Sequence, residues 1–236
     1  MIQIQGVRKR YGKLSVLEDL DLEIEQGRVT ALVGPNGTGK TTLIKMILGL
    51  ATPDAGAIRI DGALVGRDPA YRARIGYMPQ IARFPDNLTG TELIRMLQDL
   101  RGGAAGDRRL IDAFGLLPQL GRPLRTLSGG TRQKVNAVLA FLFDPELLIL
   151  DEPSAGLDPL SSSILKDRIL ADRAAGKTFL LTSHVMSELE ELADDVAFLL
   201  DGKVRFLGSI RELKLRTRQE NLERAIARMM TAEAAV

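Results

Sequence analysis

Ile2-Gln-Ile-Gln and Leu20-Asp-Leu-Glu-Ile-Glu alternate apolar with polar residues. A period of two predicts half-buried strands, and the Gln26-Gly27 turn closes the second. Val29-Thr-Ala-Leu-Val33 is a buried-type apolar strand that runs straight into a glycine-rich loop. From Lys40 the period lengthens: Leu43, Ile44, Ile47 and Leu48 predict a helix, stopped by Thr52-Pro53-Asp54 and Gly56. Strands are expected at 57–61 and 74–78. Residues near 89–125 predict two short amphipathic helices separated by Gly102-Gly-Ala-Ala-Gly106, an inserted helical subdomain. Beyond Ser128 come a helix over about 130–143 and strands at 147–151, 178–183 and 196–201. Helices between those strands predict parallel β-α units. The tail after Ser209 is helical in pattern. No internal repeat or low-complexity segment interrupts the chain, so one domain with two lobes is the expected partition.

At 236 residues the chain is long enough to bury a sizeable core. A net charge of +2 gives no electrostatic case for a nucleic-acid partner, and none is expected. With no cysteine, disulfides and thiolate metal sites are excluded. The N-terminus lacks a basic-then-apolar leader pattern, and no apolar stretch approaches the roughly 18 residues of a membrane helix. A protein kept in the cytosol is expected, with any membrane role coming through a partner.

The loop Gly34-Pro35-Asn36-Gly37-Thr38-Gly39-Lys40-Thr41 carries the strongest chemical signal. Glycines leave backbone N–H groups bare, so several phosphate oxygens approach at once, and the helix that follows aims its positive end at them. Lys40 supplies a point charge for the β and γ phosphates, and the Thr41 hydroxyl is a ligand for Mg²⁺. Thr42 completes the expected nucleotide-binding run. Chance yields this octapeptide in about one chain in a hundred of this length; here it also lies between an apolar strand and a helix, as the chemistry requires. ATP and Mg²⁺ are the expected cofactors.

Leu147-Leu-Ile-Leu150-Asp151-Glu152 sets two carboxylates at the C-terminal end of an apolar strand, where open α/β sheets bind ligands. Asp151 suits Mg²⁺, held through its water shell. Glu152 points elsewhere and suits polarisation of an attacking water. Leu127-Ser128-Gly129-Gly130-Thr131-Arg132-Gln133 opens a helix with a serine and two bare glycines. Alone it reads as an N-cap. Beside a chain's own phosphate loop, a second anion-binding helix end makes sense if it serves a second copy.

With these motifs in order, the chain resembles the nucleotide-binding subunits of ABC transporters. The resemblance runs through about residue 208 and includes Gln80 after Tyr77-Met-Pro, Ser154-Ala-Gly-Leu-Asp158, and His184 after Thr182-Ser183. It implies an α/β fold: a P-loop NTPase (RecA-like) core with an N-terminal antiparallel β subdomain and an inserted α-helical subdomain. The ATPase domain is expected at 1–208, the helical subdomain at about 82–127, and a C-terminal helical extension at 209–236. The resemblance also implies roles. Tyr11 stacks on adenine, Gln80 contacts Mg²⁺ or the attacking water, and Ser128, Gly129 and Gly130 bind the γ-phosphate held by the opposite subunit. Asp158 communicates across the dimer, and His184, the only histidine, contacts the γ-phosphate. Lys40, Gln80, Glu152 and His184 form the expected catalytic set. Thr131 stands where many members have glutamine, and Ser154 where threonine is common; both are conservative for these roles.

One phosphate loop and one signature per chain imply a homodimer around two ATP. A single domain with no long coiled-coil insertion implies a transporter built from separate subunits, with a multispanning membrane partner. The expected place is the cytoplasmic face of a bacterial inner membrane. The signature Leu127-Ser-Gly-Gly-Thr-Arg-Gln133 on a short domain resembles ABC-2-type ATPases, and the residues at 132–145 and 182–195 are similar to those among them serving nitrous-oxide-reductase copper maturation, which implies a periplasmic accessory protein. An exporter of drug, lipid or polysaccharide, and a soluble non-transport ABC ATPase, stand as the alternatives.

Overall fold

A computed structural model describes residues 1–66 and 68–233. Along the chain the elements are β1 (Ile2–Tyr11), β2 (Leu14–Ile24), β3 (Val29–Val33), α1 (Lys40–Ile47), β4 (Ala55–Ile60) and β5 (Ala63–Leu64). Then come β6 (Ile75–Met78), α2 (Gly90–Leu100), α3 (Arg109–Ala113), α4 (Leu117–Leu120), α5 (Gly129–Phe141), β7 (Leu147–Asp151) and α6 (Pro159–Ala174). The last part holds β8 (Thr178–Thr182), α7 (Met186–Leu192), β9 (Asp195–Leu200), β10 (Lys203–Ser209), α8 (Ile210–Thr217) and α9 (Leu222–Glu233). This is the expected α/β fold, with an antiparallel β subdomain and parallel strands that carry the glycine-rich loop.

The chain divides into two compact units, Met1–Ala73 with Thr178–Val236, and Arg74–Lys177. In the first, β2-β1-β4-β5 form an antiparallel sheet. β3 is a central strand, parallel to β8 on one side and β9 on the other, with every side chain buried. Its start is pinned. Asp194 accepts the Val29 amide through Oδ2 at 2.9 Å and returns its own amide to the Val29 carbonyl at 2.8 Å. Asp195 takes both arms of Arg28 at 2.6 and 2.7 Å. Leu222, Ala225, Ile226 and Met229 of α9 are buried at helical spacing, so the C-terminal extension covers apolar surface and packs on α7 and α8. Residues 234–236 of that extension lie outside the described residues.

The second unit pairs β6 with β7 in parallel, Tyr77 opposite Ile149 and Met78 opposite Leu150. The expected helical segment at 82–127 lies wholly inside it and holds three helices rather than two. Gly115 ends α3 in a left-handed conformation at φ 60°, and Pro118 starts α4, so the second expected helix is broken in its middle. A capping box between Thr89 and Glu92 starts α2.

Candidate functional site

Three expected features belong to the first unit. The loop 34–39 leaves the C-terminal end of β3, and His184 follows the end of β8 by two residues; these strands are parallel neighbours, so both leave the same edge of the sheet. A Cβ on Gly34 would stand 2.1 Å from the Leu199 carbonyl oxygen, and one on Gly39 2.6 Å from Leu17 Cδ2. Both positions are therefore closed to any side chain. Gly37, at φ 83°, has no atom within 4 Å of a Cβ position, so the concave side of the loop is bare backbone. Thr38 is buried and donates to the Pro35 carbonyl at 2.9 Å, which fixes the turn. The Lys40 ammonium lies 2.6 Å from the Gly34 carbonyl and 2.9 Å from that of Pro35, inside the loop. Asn36 and Thr41 are exposed, and Thr42 is half-buried.

Gly39 packs against Leu17 and the Val16 carbonyl of β2. That contact seats the β1–β2 hairpin on the phosphate loop. Tyr11, half exposed at the hairpin tip, carries the Lys9 ammonium 5.4 Å from its ring centroid. His184 is exposed, and Ser183 Oγ accepts the Val185 amide at 3.0 Å just after it.

The other expected residues belong to the second unit. Gln80, exposed, follows β6 by two residues, and buried Asp151 ends β7; parallel pairing brings both to one edge. Burial pushes the Tyr77 hydroxyl above its ordinary range, and the Asp151 charge adds to this. Glu152 is half-buried and left-handed at φ 52°. A non-glycine residue held there marks backbone strain of the kind that collects at functional positions.

Ser128 caps α5, accepting the Thr131 amide at 3.1 Å, and Gly129 and Gly130 form its bare first turn. A Cβ on Gly130 would come within 3.0 Å of the Gly156 carbonyl oxygen. Asp158 caps α6: it accepts the Ser161 amide at 2.9 Å and the Ser161 hydroxyl at 2.7 Å, and pairs with Lys134 at 2.9 Å. The Ser161 hydroxyl first, and then Lys134, hold its carboxyl well below the usual range. Asp158 thus has partners within its own chain, Ser161 on α6 and Lys134 on the helix that Ser128 opens.

Helix α5 supplies residues that sequence reasoning missed. Buried Asn136 donates to the Pro79 carbonyl at 2.8 Å, next to Gln80. Buried Gln133 reaches the Pro153 carbonyl at 3.4 Å, next to Glu152. With Lys134 on Asp158, one helix steadies three segments that carry candidate residues. Buried polar residues, Gln133 and Asn136, one turn apart on a helix that becomes apolar after Asn136 were the signal available.

Unit by unit, the donors suit a nucleoside triphosphate with a hard divalent cation: bare amides, an ammonium and a hydroxyl in the first, carboxylates in the second, all nitrogen or oxygen. Residues 17–155 match the family described as ABC transporter. The chain belongs to that family, as one of its ATP-binding subunits. It is an ATPase that uses ATP with Mg²⁺. It is similar to the Nod factor export ATP-binding protein I of Ralstonia nicotianae, 34% identical over 219 residues, covering 90% of this chain and 68% of the relative. The daunorubicin/doxorubicin resistance ATP-binding protein of Streptomyces peucetius is 38% identical over 219 residues, 90% of this chain and 66% of that relative. The chain therefore spans about two thirds of the length of these relatives. A solved ATP-binding subunit of an ABC transporter superposes with a TM-score of 0.91 at 32% identity, over 98% of this chain and 99% of the other. Among the described residues no helix is long and apolar enough to cross a membrane.

Proposed function

We propose that this ABC subunit drives an exporter, hydrolysing ATP as a pair of copies beneath a separate membrane-spanning partner at the cytoplasmic face. The observation that carries the pairing is the inventory of one chain: one strand–loop–helix phosphate cradle at 34–41 and one bare-turned helix start at 128–130. Both features expose backbone N–H groups, and a second copy supplies the anion for the second one.

In this reading the loop amides and Lys40 hold the β and γ phosphates, and Tyr11 offers its ring to the adenine. Thr41, Gln80 and Asp151 are the residues that would hold Mg²⁺, which when bound neutralises charge on the phosphate oxygens. Glu152 orients water and accepts its proton, and its fixed backbone removes the reorganisation that such a step otherwise needs. His184 and the opposite copy's signature turn meet the γ-phosphate from two sides. Asp158 acts on the dimer by holding α5 in place, a role its caps and its Lys134 pair support.

Export is supported by relatives named for export or drug resistance at 34% and 38% identity. Those relatives are named for unlike compounds at similar identity, so the residues shared with them do not select a cargo. The narrower reading, copper supply to nitrous oxide reductase with a periplasmic accessory protein, has support only in the similarity at 132–145 and 182–195. These stretches lie on α5 and at the His184 segment, where ATP chemistry explains them.

Glu152→Gln with saturating ATP tests the proposal. A stable dimer by light scattering, reverting to monomer without nucleotide, is expected. A monomer at saturating ATP, with the membrane partner present or absent, overturns the pairing. Purification of the native complex from membranes tests the rest: the proposal requires a multispanning protein whose presence changes ATP turnover.

A further inference from the structure

The C-terminal helices bear on the segment that carries His184, and one side chain makes the connection. Glu190 lies on α7, six residues after His184. Its Oε1 accepts the Leu222 amide at 3.1 Å and is ion-paired to the Lys214 ammonium. Leu222 is the first residue of α9, so its amide is one of the donors that a helix leaves unsatisfied at its start. A carboxylate there also meets the positive end of the helix. The start of α9 is already closed locally, because Asn221 Oδ1 accepts the Arg224 amide at 2.9 Å. The Glu190 contact satisfies a further amide that Asn221 leaves open, and it gives α7 a fixed relation to α8–α9.

The rest of α7 leaves little slack. Leu189 and Leu192 are buried, and the helix packs against α9. Its far end leads to Asp194, which is locked to Val29 at the root of the phosphate-loop strand. Its near end begins at Met186, with Ser183 holding the Val185 amide. Between those anchors, α7 is seven residues long and starts two residues after His184. A shift of so short a helix is transmitted to the imidazole.

We propose that Glu190 is a positioning residue for His184, and that α8–α9 set the placement of the histidine segment through it. This rests on the reading of His184 as a γ-phosphate contact. The geometry asks for the carboxylate oxygen at 190 as acceptor for the amide of Leu222, with the Lys214 pair in a supporting part.

The full chain tests this directly, because its single histidine gives a single pair of imidazole signals, Cδ2–H and Cε1–H, in a proton–carbon NMR spectrum. Glu190→Ala is expected to lower kcat roughly tenfold with KM for ATP within about twofold, since a misplaced group is lost from the transition state. It is also expected to move the His184 signal. Glu190→Gln keeps the acceptor and should hold kcat within about twofold of the unaltered chain. Glu190→Asp keeps the charge while drawing it away from Leu222; it should fall between the two and stands in for the alanine variant if that does not fold. Wild-type kcat and an unmoved His184 signal in Glu190→Ala, with only a lower Tm, overturn the proposal and leave α9 a cover for apolar surface. His184→Ala separates this from the reading beneath it: turnover surviving in that variant sinks the role of His184 itself.

Discussion

The Lys134 ammonium stands 2.9 Å from the Asp158 carboxylate, so the helix opened by Ser128 and the helix opened by Asp158 share one ion pair. The same carboxylate caps α6 through Ser161. Asp158→Ala removes the cap and the ion pair together and is expected to lower Tm by about 2–4 °C. Asp158→Asn keeps the cap and should lose less. Because the folded-state pKa is depressed, this contribution is present above about pH 4 and fades as pH falls. Differential scanning fluorimetry of both variants at pH 7 and pH 3 checks it; equal loss in the two variants contradicts the capping role.

Glu152, proposed above to orient and deprotonate water, has a strained backbone at φ 52°. Glu152→Gln should reduce kcat by about 10²-fold or more, the scale of general-base catalysis, with ATP binding retained. Glu152→Gly should lose the same turnover and gain about 1 kcal/mol of stability, because glycine occupies the left-handed region without steric cost. Single-turnover kinetics and urea unfolding on the two variants separate chemistry from strain.

A charge cluster within the second unit joins α6 to the segment before α3. The Arg168 side chain, 7% exposed, reaches Asp107 Oδ2 at 2.7 Å and brings Nε within 2.9 Å of Asp172, the latter an ion pair without hydrogen-bond geometry. Its guanidinium also lies 5.2 Å from the Phe141 ring centroid. Arg168→Met should cost about 1.5–3 kcal/mol, because it removes a charge-assisted partner from Asp107 and Asp172, which keep Arg109 and Lys177 at 2.7 and 2.9 Å. Urea denaturation at pH 7 measures the loss.

The same cluster predicts an acid limb. Burial pushes the Asp107 carboxyl upward, but hydrogen bonds from Arg109 and Arg168 outweigh it, and the group sits well below its usual range. A depressed folded pKa stabilises above the unfolded value and is lost below it. Stability from Asp107 is therefore complete above about pH 4 and falls as pH drops further. Asp107→Asn should flatten unfolding free energy against pH below pH 4; an unchanged slope there counts against this assignment.

Gly34 and Gly37 should differ although both stand in one loop. Gly34→Ala drives a methyl to 2.1 Å from the Leu199 carbonyl oxygen, an overpacked contact worth about 3 kcal/mol. Gly37→Ala meets no atom and should cost about 1–2 kcal/mol, from its φ of 83° alone. Unfolding curves without nucleotide give both numbers. Equal losses contradict the close approach of β9 behind the loop.

How far the sequence could be read follows from the range of each cause. The run from Val29 through Thr41 was legible because an apolar strand, glycines and a helix-period stretch stand side by side and act locally. β10 was missed, yet a local signal for it exists: Asp201-Gly202, at φ 49° and 71°, is a hairpin turn between β9 and β10. Asp61-Gly62, at φ 49° and 80°, does the same between β4 and β5. The holding contacts of α5 were beyond reach. Asn136 with Pro79, and Lys134 with Asp158, join residues 57 and 24 positions apart, and residue type does not reveal which carbonyl or carboxylate will fold against them. Asp158 drew attention as a messenger between copies, while its own helix and Ser161 occupy it first.

The anchoring of β3 gives the phosphate loop a mechanical character. The strand is clamped at its root by Asp194 and Asp195 and flanked by parallel neighbours on both sides, so it behaves as a cantilever with the loop at its tip. A load applied at the tip has no travel to take up toward the root. It passes sideways, into α1 and into Leu17 of β2, which Gly39 touches. The hairpin bearing Tyr11 is thereby coupled to the tip of β3, and a displacement of the loop is carried into it.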